Sequence, residues 1–224
     1  MPLIIKGARQ VGKTWLMKAF GESHFAKVAY INFDNNERMK QLFDGDYDIK
    51  RLLMGIQIEA GVAISAEDTL LIFDEIQEVP RAIAALKYFY ENAKEYAIVA
   101  AGSLLGVALH AGTSFPVGKV DFVTLYPMSF LEFLEAQNQI ALLELLQSRD
   151  WDLISTFKSK YIDLLRQYYF VGGMPEAVNT FVEMNDYHEV RRVHSRLLEA
   201  YEQDFSKHAP NEIVPRIRML WDSV

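Results

Sequence analysis

The chain has 224 residues, half of them hydrophobic, 24% charged and 12% aromatic, which excludes a disordered or low-complexity segment and allows one or two domains with a real core. It carries a net charge of −7 and no cysteine, which removes a strongly basic nucleic-acid footprint, disulfide scaffolds, thiol catalysis and thiolate metal sites. No apolar run reaches the ~20 residues of a membrane helix, and the start is too short and then too polar for a signal peptide, so the expectation is a cytoplasmic chain with no membrane partner.

The first half alternates strand-like and helix-like runs. Residues 3–6 read as a buried strand. A helix follows over 13–20, with Trp15 placed in the core and Gly21 as its cap. Residues 28–33 form the second strand. A helix over 49–60 presents Leu52, Leu53, Ile56 and Ile58, with Gly61 beyond. Residues 69–73 form the third strand, continuous in apolar residues from Leu70 to Phe73, as a strand covered on both faces should be. Pro80 opens a helix to about 94, with Ile83, Leu86, Phe89 and Tyr90 inward, and strands follow over 97–101 and 122–125. This alternation predicts a parallel sheet with helices on both faces.

From Phe130 onward only helical periodicity is visible. Ile154, Phe157, Tyr161, Leu164 and Tyr168 step along one predicted face. Gly172 and Gly173 stop that helix, Pro175 starts another at its first position, and a third covers about 187–205. The expected organisation is a core over 1–128 and a helical lid region over 129–224. Both ends are apolar and abrupt, so neither is expected to be a natural domain boundary.

The chemistry concentrates in two motifs. Gly7-Ala8-Arg9-Gln10-Val11-Gly12-Lys13-Thr14 fits G-x-x-x-x-G-K-[ST] between a predicted strand and a predicted helix. The glycines let consecutive N–H groups turn toward phosphate oxygens, and the helix start adds its positive dipole end. Lys13 reaches the β- and γ-phosphates, and Thr14 offers a hydroxyl to Mg²⁺. In Leu70-Leu71-Ile72-Phe73-Asp74-Glu75 the carboxylates emerge at a strand's C-terminal end, where open α/β sheets bind ligands. Asp74 is the second Mg²⁺ residue, and Glu75 is placed to orient and deprotonate water. The predicted fold class is therefore α/β, a P-loop three-layer α/β/α core with a five-stranded mainly parallel sheet and an all-helical lid.

Two further residues sit at strand tips. Ser103 is a candidate sensor of the γ-phosphate or a helix N-cap. Asn32 is a candidate partner that holds Glu75 from water, or a turn residue. The acidic pair disfavours a small-molecule kinase, which needs no water-activating Glu. The strand over 28–33, placed between P-loop and Asp74, matches the hydrolysing branch. No Asn-Lys-x-Asp is present to select guanine.

These runs, together with Ile76-Gln77, Ala101-Gly102-Ser103, Tyr126-Pro127-Met128-Ser129-Phe130, Glu132-Phe133-Leu134 and Gly172-Gly173-Met174-Pro175-Glu176-Ala177, occur in an order that resembles the bacterial and archaeal AAA-type ATPases of the AAA+ superfamily. Members of that family usually carry a C-terminal domain of unknown function. The resemblance implies nucleotide and Mg²⁺ binding by Lys13 and Thr14, hydrolysis by Asp74 and Glu75, and a sensor role for Ser103. It also implies further parts before the first strand and after the last helix. Gly118-Lys119-Val120 departs from the family's Gly-Arg-Val, so a trans-acting role for Lys119 ranks below a salt-bridged surface Lys. Arg191, Arg192, Arg196, Arg216 and Arg218 are read mainly as a solvated face.

The histidines share no ligand spacing, and Asp44, Asp46 and Asp48 lack the Gly and distal Glu of a calcium loop. The function expected is ATP binding and Mg²⁺-dependent hydrolysis, with ATP and ADP as ligands and self-association open. The alternatives are a nucleotide-operated switch and, behind it, a kinase. The acidic balance places nucleic acid low among partners.

Overall fold

The computed structural model describes residues 1–102, 116, 118–208, 212–221 and 223, with the backbone alone for 204–208. Two compact units meet after Tyr126. The first contains β1 (Leu3–Gly7), α1 (Lys13–His24), β2 (Lys27–Asn32), α2 (Glu37–Asp44), α3 (Ile49–Ala60), β3 (Thr69–Asp74), a single 3-10 turn (Ile76–Glu78), α4 (Pro80–Asn92), β4 (Ala97–Gly102) and β5 (Asp121–Leu125).

The five strands form one sheet in the order β2-β3-β4-β1-β5, and every pairing is parallel. β3 is buried at all six positions. Its alternate side chains serve opposite layers. Leu70 and Ile72 pack with Met17 of α1, whereas Leu71 and Phe73 join Leu52, Ile56, Leu86 and Phe89 from the helices of the other face. Phe73 is ringed by Phe33, Phe43 and Phe89, with centroids 5.6, 6.2 and 6.3 Å away. These edge-to-face aromatic contacts pack around the C-terminal end of β3, and Asp74 is the next residue.

The strand lying between β1 and β3 in the sheet is β4, and β2 is an edge strand. The expectation that residues 28–33 lie between P-loop and Asp74 holds along the chain but not in space. Helix α1 continues to His24, so Gly21 is no cap. It sits inside the helix because a Cβ there would press on Val28 and Leu70. Trp15 is 73% exposed, not core, and so is Ile58. The Asp-rich run resolves into separate local tasks. Asp46 pairs with Arg51 at 2.7 Å, and Asp48 caps α3 by accepting from the Lys50 and Arg51 N–H groups.

The second unit, 127–224, is helical in its described elements: α5 (Phe130–Ala136), α6 (Ile140–Ser148), α7 (Trp151–Thr156), α8 (Lys158–Val171), α9 (Pro175–Met184), α10 (Tyr187–His208) and α11 (Val214–Trp221). The predicted single face from Ile154 to Tyr168 is broken at Phe157, where α7 ends and α8 begins. Phe133, Val171, Ala177, Val178, Phe181, Val190, Val193 and Leu197 form the core of this unit.

The two runs that carried the family resemblance here have a physical cause. Ser129 and Glu132 make a capping box: Ser129 N–H and Oγ–H donate to Glu132 Oε2 at 2.6 and 2.8 Å, and the Glu132 N–H donates back to Ser129 Oγ. Those Ser129 donors hold the Glu132 carboxyl below its usual range. Met128 N–H donates to Gly173 O at 2.7 Å, and Tyr168 Oη–H donates to Met128 O at 2.7 Å. A Cβ at Gly173 would overlap the Met128 carbonyl oxygen. The glycine pair and the Pro-Met-Ser segment are thus two sides of one backbone junction. Gly173→Ala is expected to cost about 1–3 kcal/mol, because backbone atoms cannot yield as side-chain ends do. A fall in the urea midpoint of the unit checks it.

Candidate functional site

The phosphate loop joins the C-terminal end of β1 to α1. Gln10 and Gly12 are left-handed, with φ 62° and 95°. Such a turn suits glycine best, and at Gly12 it aims the first N–H groups of α1 outward from the helix start. Gly7 is fixed by proximity, since a Cβ would overlap the Leu125 carbonyl oxygen of β5.

Lys13 is only 6% exposed. Its Nζ donates to Gly7 O at 3.1 Å and Ala8 O at 2.7 Å, so the ammonium is folded onto the loop's own carbonyls. Burial pushes the Lys13 pKa down. The Glu75 and Asp74 charges act against that shift, and Arg9 adds to it. The side chain is therefore a buried cation held by backbone carbonyls of its own loop.

Asp74 is 3% exposed and fully engaged. Its Oδ2 accepts from Thr14 Oγ1 at 2.6 Å and from the Tyr30 hydroxyl at 3.0 Å, while Oδ1 accepts from the Glu75 N–H at 3.1 Å. The link from Thr14 to Asp74 ties α1 to the end of β3. Burial and the Asp74 carboxylate together push the Tyr30 phenol well above its ordinary range. Tyr30 was not among the expected site residues. The period of two along β2 puts it on the face of Val28 and Asn32, whose register partners are Leu70 and Asp74.

Glu75 follows in left-handed backbone, φ 50° and ψ 43°. One of its oxygens, Oε2, accepts from Gln77 Nε2 at 2.6 Å. Gln77 enters the sequence reading only within the Ile76-Gln77 run, without a site role, because its contact depends on that turn and not on any spacing. Asn32 is the register partner of Asp74, and its Oδ1 accepts the Asp34 N–H at 2.8 Å, the turn reading of the two. Ser103 lies outside the described residues. Gly102, the last residue of β4, pairs with Lys6 of β1, so the tips of β4, β1 and β3 lie together.

Lys119 pairs with Glu91 at 3.4 Å and lies over the Tyr90 ring. On the second unit, Arg192 pairs with Glu189, Arg196 with Glu176 and Arg218 with Glu202. Among the described residues no helix is long and apolar enough to cross a membrane.

Residues 1–134 match the AAA domain family, and residues 162–224 match a domain of unknown function (DUF8612). No curated protein sequence matches the chain. Among solved structures, the chain is similar to PCH-2 from C. elegans, at 18% identity over 66% of this chain and 40% of that one, with a TM-score of 0.37. It is similar to the Aeropyrum pernix ORC2 protein, solved as ADPNP-ADP complexes, at 17% identity over 62% and 45%, with a TM-score of 0.37. It is also similar to Drosophila ORC bound to DNA, at 14% identity over 88% and 61%, with a TM-score of 0.39. The chain thus spans less than two thirds of each of these solved chains. With the family match covering more than half of its length, the chain belongs to the AAA domain family, a nucleotide-binding core of the AAA+ P-loop type followed by a helical region.

Proposed function

We propose that the chain binds ATP with Mg²⁺ and hydrolyses it at the edge formed by the phosphate loop and the end of β3. The observation that carries this reading is the convergence of Thr14, Asp74 and Glu75 next to a buried Lys13. Gly7, Ala8, Arg9, Gln10, Val11 and Gly12 cradle the phosphates, and Lys13 turns from its loop carbonyls to the β- and γ-phosphates. Water attacks the γ-phosphorus, the bond to the β–γ bridging oxygen breaks, and the water's proton passes to Glu75. The products are ADP and inorganic phosphate.

The donor set fits Mg²⁺. Thr14 and Asp74 offer hard oxygens 2.6 Å apart. Magnesium is ordinarily held by one or two carboxylates with phosphate and water completing the shell. When bound, the ion supplies neutralisation of the phosphate charge that builds as the bond breaks. Ser103 stays in the reading as a γ-phosphate sensor, and Asn32 as a residue at the tip of β2 beside Asp74.

A cytoplasmic setting fits an ATP-dependent chain without cysteine. Self-association is part of the reading. A finger from Lys119 is not favoured, since its charge is already paired with Glu91. Nucleic acid ranks lower as a partner for a chain of net charge −7.

The test follows γ-labelled ATP with the full chain. With Mg²⁺ the label is expected in inorganic phosphate, and excess EDTA is expected to abolish its release. Label appearing on an organic acceptor instead would favour the kinase alternative. Tight ATP binding with no release in any condition would leave the nucleotide-operated switch.

A further inference from the structure

We propose that Tyr30 is a positioning residue for the Mg²⁺ site, whose hydroxyl sets the plane of the Asp74 carboxylate so that the ion meets oxygens already in place. This rests on the reading of Thr14 and Asp74 as the Mg²⁺ residues. A carboxylate turns about a soft terminal torsion, so one donor alone does not fix its plane. Three donors act on Asp74. Thr14 Oγ1 and the Tyr30 hydroxyl donate to Oδ2, at 2.6 and 3.0 Å, and the Glu75 N–H donates to Oδ1 at 3.1 Å. Thr14 belongs to the metal pair itself. Tyr30 is the side-chain donor from outside that pair, and its hydrogen bond holds Oδ2 whether or not the ion is bound.

Tyr30 is in turn held by its surroundings. It lies opposite Ile72 in the register of β2 and β3, so Asp74, two residues on, shares its face of the sheet. Its ring packs against the cluster that contains Met17 and Ile72. Lys18 Nζ lies 3.9 Å from the ring centroid, a cation over the aromatic face. Lys18 follows Thr14 by four residues on α1, so both point from one side of that helix. Helix α1 thus reaches the Tyr30–Asp74 pair twice, through the Thr14 hydroxyl and through the Lys18 ammonium. The Asn32 side chain donates to the Tyr30 hydroxyl oxygen, which leaves the phenolic proton for Asp74. Partners of this kind, which orient a ligand without touching the metal, govern affinity for the ion.

Tyr30→Phe keeps the ring under Lys18 and removes the hydroxyl alone. In the full chain, with ADP held by an excess of protein, the dissociation constant of Mn²⁺ is read from loss of the free-ion signal in electron paramagnetic resonance. It is expected to rise about 10- to 100-fold in Tyr30→Phe. ADP affinity in excess EDTA is expected to stay unchanged. ATP turnover lost at limiting Mg²⁺ is expected to return at excess Mg²⁺. Asp74→Asn separates the two readings. Mn²⁺ affinity unchanged in Tyr30→Phe but weakened in Asp74→Asn overturns the positioning role and leaves the Mg²⁺ site standing. Mn²⁺ affinity unchanged in Asp74→Asn overturns the Mg²⁺ site itself. A parallel fall of ADP affinity in EDTA, or a turnover loss that no Mg²⁺ concentration relieves, makes Tyr30 a structural residue and overturns the proposal.

Discussion

Glu75→Gln is expected to lower ATP turnover about 10²- to 10⁴-fold, the range supplied by a positioned general base, while ATP affinity stays within about threefold. The substitution keeps the shape of the side chain and one acceptor oxygen. The 2.6 Å contact with Gln77 Nε2 therefore survives, and so does the backbone N–H donated to Asp74 Oδ1. What is lost is the ability to take a proton from water. The phosphate loop, Lys13, Thr14 and Asp74 keep their residues and hydrogen bonds, and Lys13 loses only the support of the Glu75 charge. Equal losses in kcat and kcat/KM, read from steady-state phosphate release, are the signature of an interaction made only in the transition state. Turnover unchanged by the substitution would remove Glu75 from its role as the base.

The legible parts of this molecule are those in which chemistry dictates residue type at fixed spacing. The phosphate loop is one, and the apolar run ending in Asp74 is another, since burial on both faces leaves no freedom for polar residues. Strand existence was equally legible. Strand order was not. β4 rather than β2 lies between β1 and β3, and nothing in the local pattern of either strand encodes its neighbour. Trp15 shows a second limit. Helical spacing identifies a face, but whether that face is covered depends on elements elsewhere in the chain. The break at Phe157 shows a third, because a 3-4-3-4 step continues unaltered across the end of one helix and the start of the next. Tyr30 and Gln77 were hidden for a related reason. Their hydrogen bonds exist only once β2 and β3 are in register and Glu75 has taken its left-handed turn.

Lys13→Ala is expected to weaken ATP binding by about 10²-fold or more, the loss of charge-assisted hydrogen bonds worth ~1.5–3 kcal/mol each to the phosphates. The nucleotide-free fold should not suffer in proportion. In the folded chain the Lys13 pKa is held below its ordinary value of 10.5, chiefly by burial, so the charged form is the less comfortable one there. Folding then carries a penalty that is present in full below the lowered pKa. The penalty is relieved as the pH rises from that value toward 10.5. Removing the side chain removes that penalty along with the bonds to the Gly7 and Ala8 carbonyls. The thermal midpoint of the nucleotide-free variant at neutral pH is therefore expected to lie near that of the parent chain. The stabilisation that saturating ATP gives the parent should be absent. A midpoint that collapses without nucleotide would make Lys13 a structural clamp on the loop. Undiminished stabilisation by ATP would show that the phosphates are held without it. Only a variant that folds normally and ignores ATP agrees with a cation kept desolvated so that phosphate, and not solvent, completes its shell.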